Sequence, residues 1–140
     1  MWTARRGFSI VFAWPTTSGT LHVGHARSYT IPDIIARYKR KQGYDVFFPI
    51  GFHATGVDSI NIFEKIGKNP NEGRLYGLST EDLAGITSAY DLERLFEQKD
   101  LEVFERAGLT LNYETRVSTI DKAYGRFIGW QFSKLKAAEP

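Results

Sequence analysis

Two short hydrophobic runs frame a longer amphipathic stretch in the first third of the chain. Residues 8–13 and 45–50 are rich in aromatic and β-branched side chains, which predicts two buried strands. Between them, four apolar residues recur at helical spacing and predict one apolar helix face: Ile31, Ile34, Ile35 and Tyr38. The pattern places a helix over residues 23–42. A strand, a helix and a second strand make a βαβ unit, so we expect parallel strands and a right-handed crossover.

Proline and glycine residues refine the predicted bounds of this helix. Pro32 lies inside it, so we expect a kink or a second helix that starts near Ser28 or Thr30. Gly43 is suited to the position just after a helix end, because glycine adopts left-handed backbone without strain. Three cations at 39–41 precede it and suit the negative end of the helix dipole.

The remainder of the chain alternates helices with links. We predict, in order, a helix at 58–66, a loop at 69–73, a helix start at 79–82, a helix at 90–107 ended by Gly108, a strand or extended link at 109–113, and a last helix from about 119. Four large residues of the last helix are expected to pack in the core: Phe127, Trp130, Phe132 and Leu135.

Composition narrows the class of protein. The chain has 140 residues, of which 42% are hydrophobic and 24% charged, as is usual for one globular domain. It has no cysteine, which rules out a disulfide scaffold and a thiolate zinc site. No apolar run approaches the roughly 20 residues of a membrane helix, so we expect no membrane partner and a cytoplasmic location.

Charge is unevenly distributed along the chain. Residues 1–53 carry seven Lys/Arg and two Asp/Glu, whereas residues 54–140 carry eleven and fourteen. All three histidines lie in the basic part. This favours an anionic ligand such as a phosphate, although a solvated basic helix face would give the same pattern.

A compact cluster of glycines and histidines follows the first predicted strand. Gly19, His22, Gly24 and His25 lie where the helix starts, a position that offers unpaired N–H groups and a positive dipole end to a phosphate. The two histidines are three residues apart and can face the same side. They could also be partly exposed structural residues or a two-histidine metal site, but a third ligand at typical spacing is missing. His53 follows the second strand and could reach the same cleft.

The segment resembles a known family. Residues 22–25, His-Val-Gly-His, are similar to the "HIGH" signature of class I aminoacyl-tRNA synthetases. Residues 19–46 resemble leucyl-tRNA synthetase, and residues 48–56, with Phe-His-Ala-Thr-Gly, resemble its archaeal and eukaryotic type. The resemblance covers residues 8–56 and about 108–137.

The resemblance implies a fold. It is an α/β fold, the N-terminal part of a Rossmann-like (HUP-type) parallel-sheet nucleotide-binding domain with flanking helices. Residues 1–140 would be part of a class I catalytic domain. The editing domain, the second signature (Lys-Met-Ser-Lys-Ser) and the anticodon-binding domain are absent from this sequence.

The resemblance also implies an activity: ATP-dependent activation of leucine to leucyl-adenylate and transfer to tRNA(Leu). ATP would arrive with Mg²⁺, and no metal site of the protein itself is expected. His22 and His25 would be catalytic. The ATP-binding set would be Gly19, His22, Gly24 and His25. The amino-acid-binding set would be Trp14, Thr16 and His53.

Departures from the family pattern leave alternatives. The missing second signature means that a second polypeptide could supply the other half of the site. Thr16 and Thr17, where the family commonly has proline or an aromatic residue, and the pair at 57–58 favour a non-catalytic paralogue that binds ATP or an aminoacyl-adenylate. A small nucleotidyltransferase with a similar signature is a third alternative.

Overall fold

The computed structural model describes residues 6–138. Its elements, in chain order, are β1 (Gly7–Ser9), α1 (Val23–Lys41), β2 (Asp45–Phe47), β3 (Pro49–Phe52), α2 (Val57–Lys68), a 3₁₀ segment (Pro70–Tyr76), α3 (Thr80–Ala84), α4 (Ala89–Arg106), β4 (Asn112–Ser118) and α5 (Lys122–Ala137). The four longer predicted helices are therefore confirmed. The loop predicted at 69–73 is wrong, because it falls within the 3₁₀ segment. No helix in residues 6–138 is long and apolar enough to cross a membrane.

The strands pair in parallel, as the βαβ pattern predicts. β1 pairs with β2, and β3 pairs with β4. β2 and β3 are separated by Phe48 alone, so together they form one interrupted central strand. The predicted strand at 109–113 begins later, at Asn112, and runs on to Ser118.

The first strand is shorter than the predicted span of 8–13. It ends at Ser9, with one further ladder bond from the Ile10 N–H to the Phe47 carbonyl at 3.0 Å. The next bond of a parallel ladder would require an N–H at Pro49, and proline has none. In addition, Asn112 takes both backbone groups of Phe48, through its side chain at 2.7 Å and its backbone N–H at 2.8 Å.

Helix α1 runs unbroken through Pro32, so the expectation of a second helix is wrong. Its C-terminus forms a Schellman motif. The Gly43 N–H donates to the Arg40 carbonyl at 3.0 Å and the Tyr44 N–H to the Lys39 carbonyl at 3.1 Å. Gly43 has φ +85°, which confirms the predicted left-handed end.

The apolar face predicted on α1 lies away from the apolar core. The buried residues are Tyr29, Pro32, Asp33 and Ala36. The stripe itself is exposed by 41 to 59%: Ile31, Ile34, Ile35 and Tyr38. The cause is the Asp33 carboxylate, which accepts hydrogen bonds from the Thr110 N–H at 2.7 Å and hydroxyl at 2.6 Å. These bonds turn the face that carries Asp33 towards the segment before β4.

Two apolar clusters share α4. One lies between the sheet and α1 and includes Phe48, Phe52 and Phe104. The other lies between α2, the following links and the first half of α4, with Leu92 and Phe96 both fully buried. Helix α4 ends at Gly108, which has φ +70°, as predicted. Helix α4 therefore contributes side chains to both clusters: Phe104 to the first, and Leu92 and Phe96 to the second.

Helix α5 contradicts the expectation that its large residues pack in the core. Four of them are exposed by 53 to 69%: Phe127, Trp130, Phe132 and Leu135. The helix has no buried residue along its length. Its contacts lie at its start, where Asp121 pairs with Arg94 at 2.7 Å and Tyr124 lies 6.4 Å from the ring of Trp14. Helical periodicity identifies an apolar face but does not supply the surface that covers it.

Candidate active site at the start of α1

Two imidazoles cap the start of α1. His22 is the N-cap residue, and its Nδ1 accepts a hydrogen bond from the Gly24 N–H at 3.0 Å. In return, Nδ1 of His25 accepts a hydrogen bond from the His22 N–H at 3.2 Å. The two ring centroids lie 4.0 Å apart. Both histidines therefore lie on one side of the first turn, as their spacing predicts.

This double cap fixes the proton positions. An Nδ1 that accepts a backbone N–H carries no proton, so each neutral ring holds its proton on Nε2. The Nε2–H groups remain as donors beside a helix N-terminus, which itself favours anions. Burial lowers the pKa of His25 below its usual 6.5, and the neighbouring His22 lowers it further. The geometry and the pKa of His25 both favour a neutral donor.

Tyr29 supports His25 from the core. Its ring is parallel to that of His25 within 4°, with the centroids 5.9 Å apart. Tyr29 is 4% exposed and packs against Phe12 at 4.8 Å and Phe104 at 5.0 Å between ring centroids. Burial, reinforced by the Asp100 carboxylate, raises the pKa of Tyr29 to about 12. Tyr29 is thus a neutral anchor that holds the His25 ring against the apolar cluster.

A cavity of about 250 Å³ opens beside His25 and is lined by Trp14, Thr16 and Tyr29 among others. The cavity brings together His25, which the family resemblance assigns to ATP, and Trp14 and Thr16, which the resemblance assigns to the amino acid. Trp14 stands in this wall because its indole lies flat on Gly51. A Cβ at Gly51 would meet the Trp14 ring at 2.1 Å.

His53 joins the site through backbone contacts. Thr16 and His53 form an isolated parallel bridge. The His53 N–H donates to the Pro15 carbonyl at 2.8 Å, and the Thr17 N–H donates to the His53 carbonyl at 3.3 Å. A second cavity of about 90 Å³ is lined by both Thr16 and His53. Thr16 is thus common to the two cavities, so the structure brings His53 to the His25 side, as its place after β3 predicts.

The two predicted glycines play different parts. Gly19, with φ +151°, lines neither of these cavities. At Gly24, a Cβ would lie 2.8 Å from Cε1 of His22, so the absence of a side chain makes room for the capping imidazole. The structure therefore explains Gly24 through the His22 cap.

The cations in the last turn of α1 lie far from this site, whereas Arg27 lies two residues after His25. Lys39 and Arg40 lie in the last turn of α1, a 19-residue helix about 28 Å long at roughly 1.5 Å per residue. Arg40 donates to the Thr110 carbonyl at 2.9 Å, and Nζ of Lys39 lies 4.8 Å from the centre of the Tyr44 ring. These two cations hold the C-terminal half of the helix and supply no argument for a phosphate site.

Sequence reasoning missed Tyr29, and it named Thr17 only as a departure from the family pattern without its burial. Tyr29 follows His25 by four residues, a helical spacing that could have indicated their contact. Thr17 is 1% exposed, and its burial depends on contacts with residues 36 to 76 positions away, so no local pattern indicates it. Within residues 6–138 no group of three or more His, Cys, Asp or Glu side chains is placed to hold a metal ion.

Parallel strands with a helix between them, and a cleft at the strand ends, are typical of Rossmann-like α/β folds. The family described as "tRNA synthetases class I (I, L, M and V)" matches residues 3–139, and the chain belongs to this family. Among its curated relatives are leucine–tRNA ligases. The ligase of Methanopyrus kandleri is 37% identical over 137 residues, and that of Pyrococcus abyssi is 40% identical over 136 residues.

These relatives are much longer than the chain. The matches cover 94% and 92% of the chain but 14% of each relative. Among solved structures, a LeuRS of Agrobacterium radiobacter K84, in a ternary complex with tRNA and LeuAMS, is similar with a TM-score of 0.72. It is 21% identical, and the match covers 96% of the chain and 15% of that protein. The predicted Rossmann-like fold is confirmed.

Proposed function

We propose that this chain forms the ATP- and leucine-binding part of a leucine–tRNA ligase. The observation that carries the proposal is the double histidine cap, which presents two Nε2–H donors at a helix N-terminus. Neutral donors and unpaired backbone N–H groups in that place suit the phosphates of a nucleotide. The leucine–tRNA ligase names of the relatives support the choice of amino acid.

The proposed reaction activates leucine. A carboxylate oxygen of leucine attacks the α-phosphorus of ATP, the bond to the β-phosphate oxygen breaks, and pyrophosphate leaves. His22 and His25 would donate hydrogen bonds to phosphate oxygens as negative charge builds up there, which is a preorganised electrostatic contribution. Mg²⁺ would arrive on the nucleotide. The activated leucine would then pass to tRNA(Leu).

The amino acid would lie next to Thr16, the residue that lines both cavities. Trp14 and Thr16 line the larger cavity, and His53 lines the smaller one. Because Thr16 and His53 are bridged through the backbone, the two cavities keep a fixed spacing. This spacing would place the leucine carboxylate towards His25 and its amino group towards His53.

The test is leucine-dependent exchange between ATP and pyrophosphate, measured with the protein purified as its own cells produce it and with a panel of amino acids. We expect leucine to support exchange better than isoleucine, valine or methionine. His25→Ala should lower the rate by at least a hundredfold, in the range of a lost transition-state donor. ATP binding without exchange for any amino acid would instead support the non-catalytic paralogue.

A further inference from the structure

One buried carboxylate has no place in the site described so far. Glu93 lies in the second turn of α4 and is 4% exposed. None of the ion pairs found among residues 6–138 includes it. Its Oε2 accepts a hydrogen bond from the hydroxyl of Thr17, a residue that is itself 1% exposed. Glu93 thus connects α4 to the link between the first strand and α1.

Thr17 is the point where several segments meet. Its N–H donates to the His53 carbonyl at 3.3 Å, and its own carbonyl accepts from the Ser59 hydroxyl, on α2, at 3.5 Å. Burial, with the charge of Glu97 as a smaller cause, raises the pKa of Glu93, while the hydroxyls of Ser59 and Thr17 and the charge of His53 oppose that rise. The carboxylate therefore lies among groups from three other segments.

The hydrogen-bond partner of Glu93, Thr17, belongs to the wall of the smaller cavity. Thr17, Ser59 and His53 all line that cavity of about 90 Å³. The Thr17 N–H to His53 carbonyl bond and the Ser59 hydroxyl to Thr17 carbonyl bond are long, at 3.3 and 3.5 Å, whereas the His53 N–H to Pro15 carbonyl bond is 2.8 Å, and all three join neutral partners. A hydrogen bond to an ionised carboxylate is roughly twice as strong as a neutral one. When it is ionised, Glu93 therefore gives Thr17 a stronger contact than its two long neutral bonds.

Packing alone does not explain an acid at this position. Its helix neighbours Leu92 and Phe96 are fully buried in the apolar cluster with Ile62, so this part of α4 is shielded from water. Burying a carboxylate costs free energy that an apolar side chain avoids. The carboxylate is therefore best explained by what it holds, namely Thr17.

We propose that Glu93 is a positioning residue, which acts through Thr17 to fix the wall that carries Thr16 and His53 for the amino group of an amino-acid substrate. The proposal rests on the proposed function, since it gives the wall an amino-acid ligand. Glu93 itself does not touch the substrate. Its effect should therefore fall on the amino-acid part of a ligand and leave the nucleotide part unchanged.

The test compares two ligands by calorimetry on the 140-residue chain: ATP and leucyl sulfamoyl adenosine, a stable mimic of leucyl-adenylate. The variants are Glu93→Leu, Thr17→Val and the double variant, with Glu93→Gln as the conservative replacement that keeps an acceptor oxygen. Glu102→Gln is the control, because it makes the same change on the exposed side of α4.

We expect Glu93→Leu and Thr17→Val each to weaken binding of the leucyl ligand by about tenfold, as for a lost hydrogen bond to a charged group. ATP affinity should stay within about twofold, and Glu93→Gln, which keeps a neutral acceptor, should recover about half of the loss in binding free energy. The double variant should be no worse than either single one, because coupled residues are not additive. Equal losses for both ligands, or no loss, would overturn the proposal.

A wild-type chain that binds neither ligand would count against the proposed function, and a second measurement would then decide the role of Glu93. Amide hydrogen exchange at the Thr17 and His53 N–H groups reports the wall directly. Glu93→Leu should lower their protection by at least about tenfold relative to Glu102→Gln at matched global stability. Unchanged protection would refute the positioning role.

Discussion

Asp100 should make the fold less stable as the pH rises towards neutrality. It lies on α4, is 1% exposed, and neither of its carboxylate oxygens has a hydrogen-bond partner among the described residues. Burial, with the charge of Glu97 as a smaller cause, raises the pKa of Asp100 from 3.8 to about 7. Replacing it with asparagine keeps the shape of the side chain and removes the titration.

The magnitude follows from linkage. In the unfolded chain Asp100 ionises at its ordinary pKa of 3.8, whereas in the fold it keeps its proton until about pH 7. Between these values the folded state binds more protons, so the free energy of unfolding falls as the pH rises. At neutral pH this shift of roughly three pKa units lowers the free energy of unfolding by about 4 kcal/mol relative to acidic pH. About 2 kcal/mol of that loss occurs between roughly pH 5 and pH 7.

The assay is urea unfolding followed by tryptophan fluorescence at intervals from pH 4 to pH 8. Asp100→Asn should be more stable than the wild-type chain by about 2 to 4 kcal/mol at pH 7, and the two should converge near pH 4. Below that pH the wild-type carboxyl is protonated in both states and contributes no difference.

The control is Asp91→Asn on the same helix. Asp91 is a capping residue whose pKa is lowered by hydrogen bonds, first from the Thr87 hydroxyl. Its stabilising contribution is present above the ordinary pKa and is lost as the pH falls, so this substitution should destabilise the chain, and at neutral rather than at acidic pH. If Asp100→Asn behaves like Asp91→Asn, or if the wild-type stability does not fall between pH 5 and pH 7 relative to Asp100→Asn, the reasoning about buried charge is wrong.

Two further substitutions test the packing around the site. Gly51→Ala should destabilise the chain by roughly 1 to 3 kcal/mol and shift its tryptophan fluorescence, because the new Cβ would stand 2.1 Å from the Trp14 ring. Asp33→Asn should cost roughly 1 to 3 kcal/mol by urea unfolding, because it weakens the acceptor for the buried N–H and hydroxyl of Thr110. The pKa of Asp33 is lowered, so the loss should shrink as the pH falls below about 4.

Each of these has a matched control. Gly67→Ala is the same change in a helix with no atom within 4 Å of the new Cβ, and it should be neutral or slightly stabilising. Asp58→Asn replaces an exposed aspartate in the first turn of α2 and should cost less than Asp33→Asn. Equal effects of the control and the test substitution would contradict the contacts assigned to Trp14 and Thr110.

Local rules account for the parts of the fold that could be predicted from sequence. Gly43 and Gly108 end helices because their backbone is left-handed, and Ser79 starts α3 because its hydroxyl and Asp82 form a capping box. The parallel pairing follows from a strand, helix and strand in series. Each of these depends on residues only a few positions apart.

Burial depends on partners that a local pattern does not contain. The apolar stripe of α1 is exposed because Asp33 binds Thr110, which lies 77 positions further along the chain. The large residues of α5 are exposed because no described element covers them. Periodicity correctly predicts both helices, but the side that faces inward is decided by long-range hydrogen bonds and by the available neighbours.

The candidate site divides in the same way. The spacing of His22 and His25 predicts their common face, because one helical turn determines it. Thr16 and His53 meet because each follows a strand of the same parallel set. Glu93 approaches Thr17 from 76 positions away, and only the packing of α4 across both clusters brings it there.

The most direct test of the central claim is the state of the two capping imidazoles as ATP is added. Nitrogen NMR of the histidine side chains should show that the neutral imidazoles of His22 and His25 both carry the proton on Nε2. Addition of Mg-ATP should shift the Nε2 signals of both rings, while the signals of His53 stay unchanged. A proton on Nδ1 in either ring, or signals that do not respond to saturating ATP, would contradict the account.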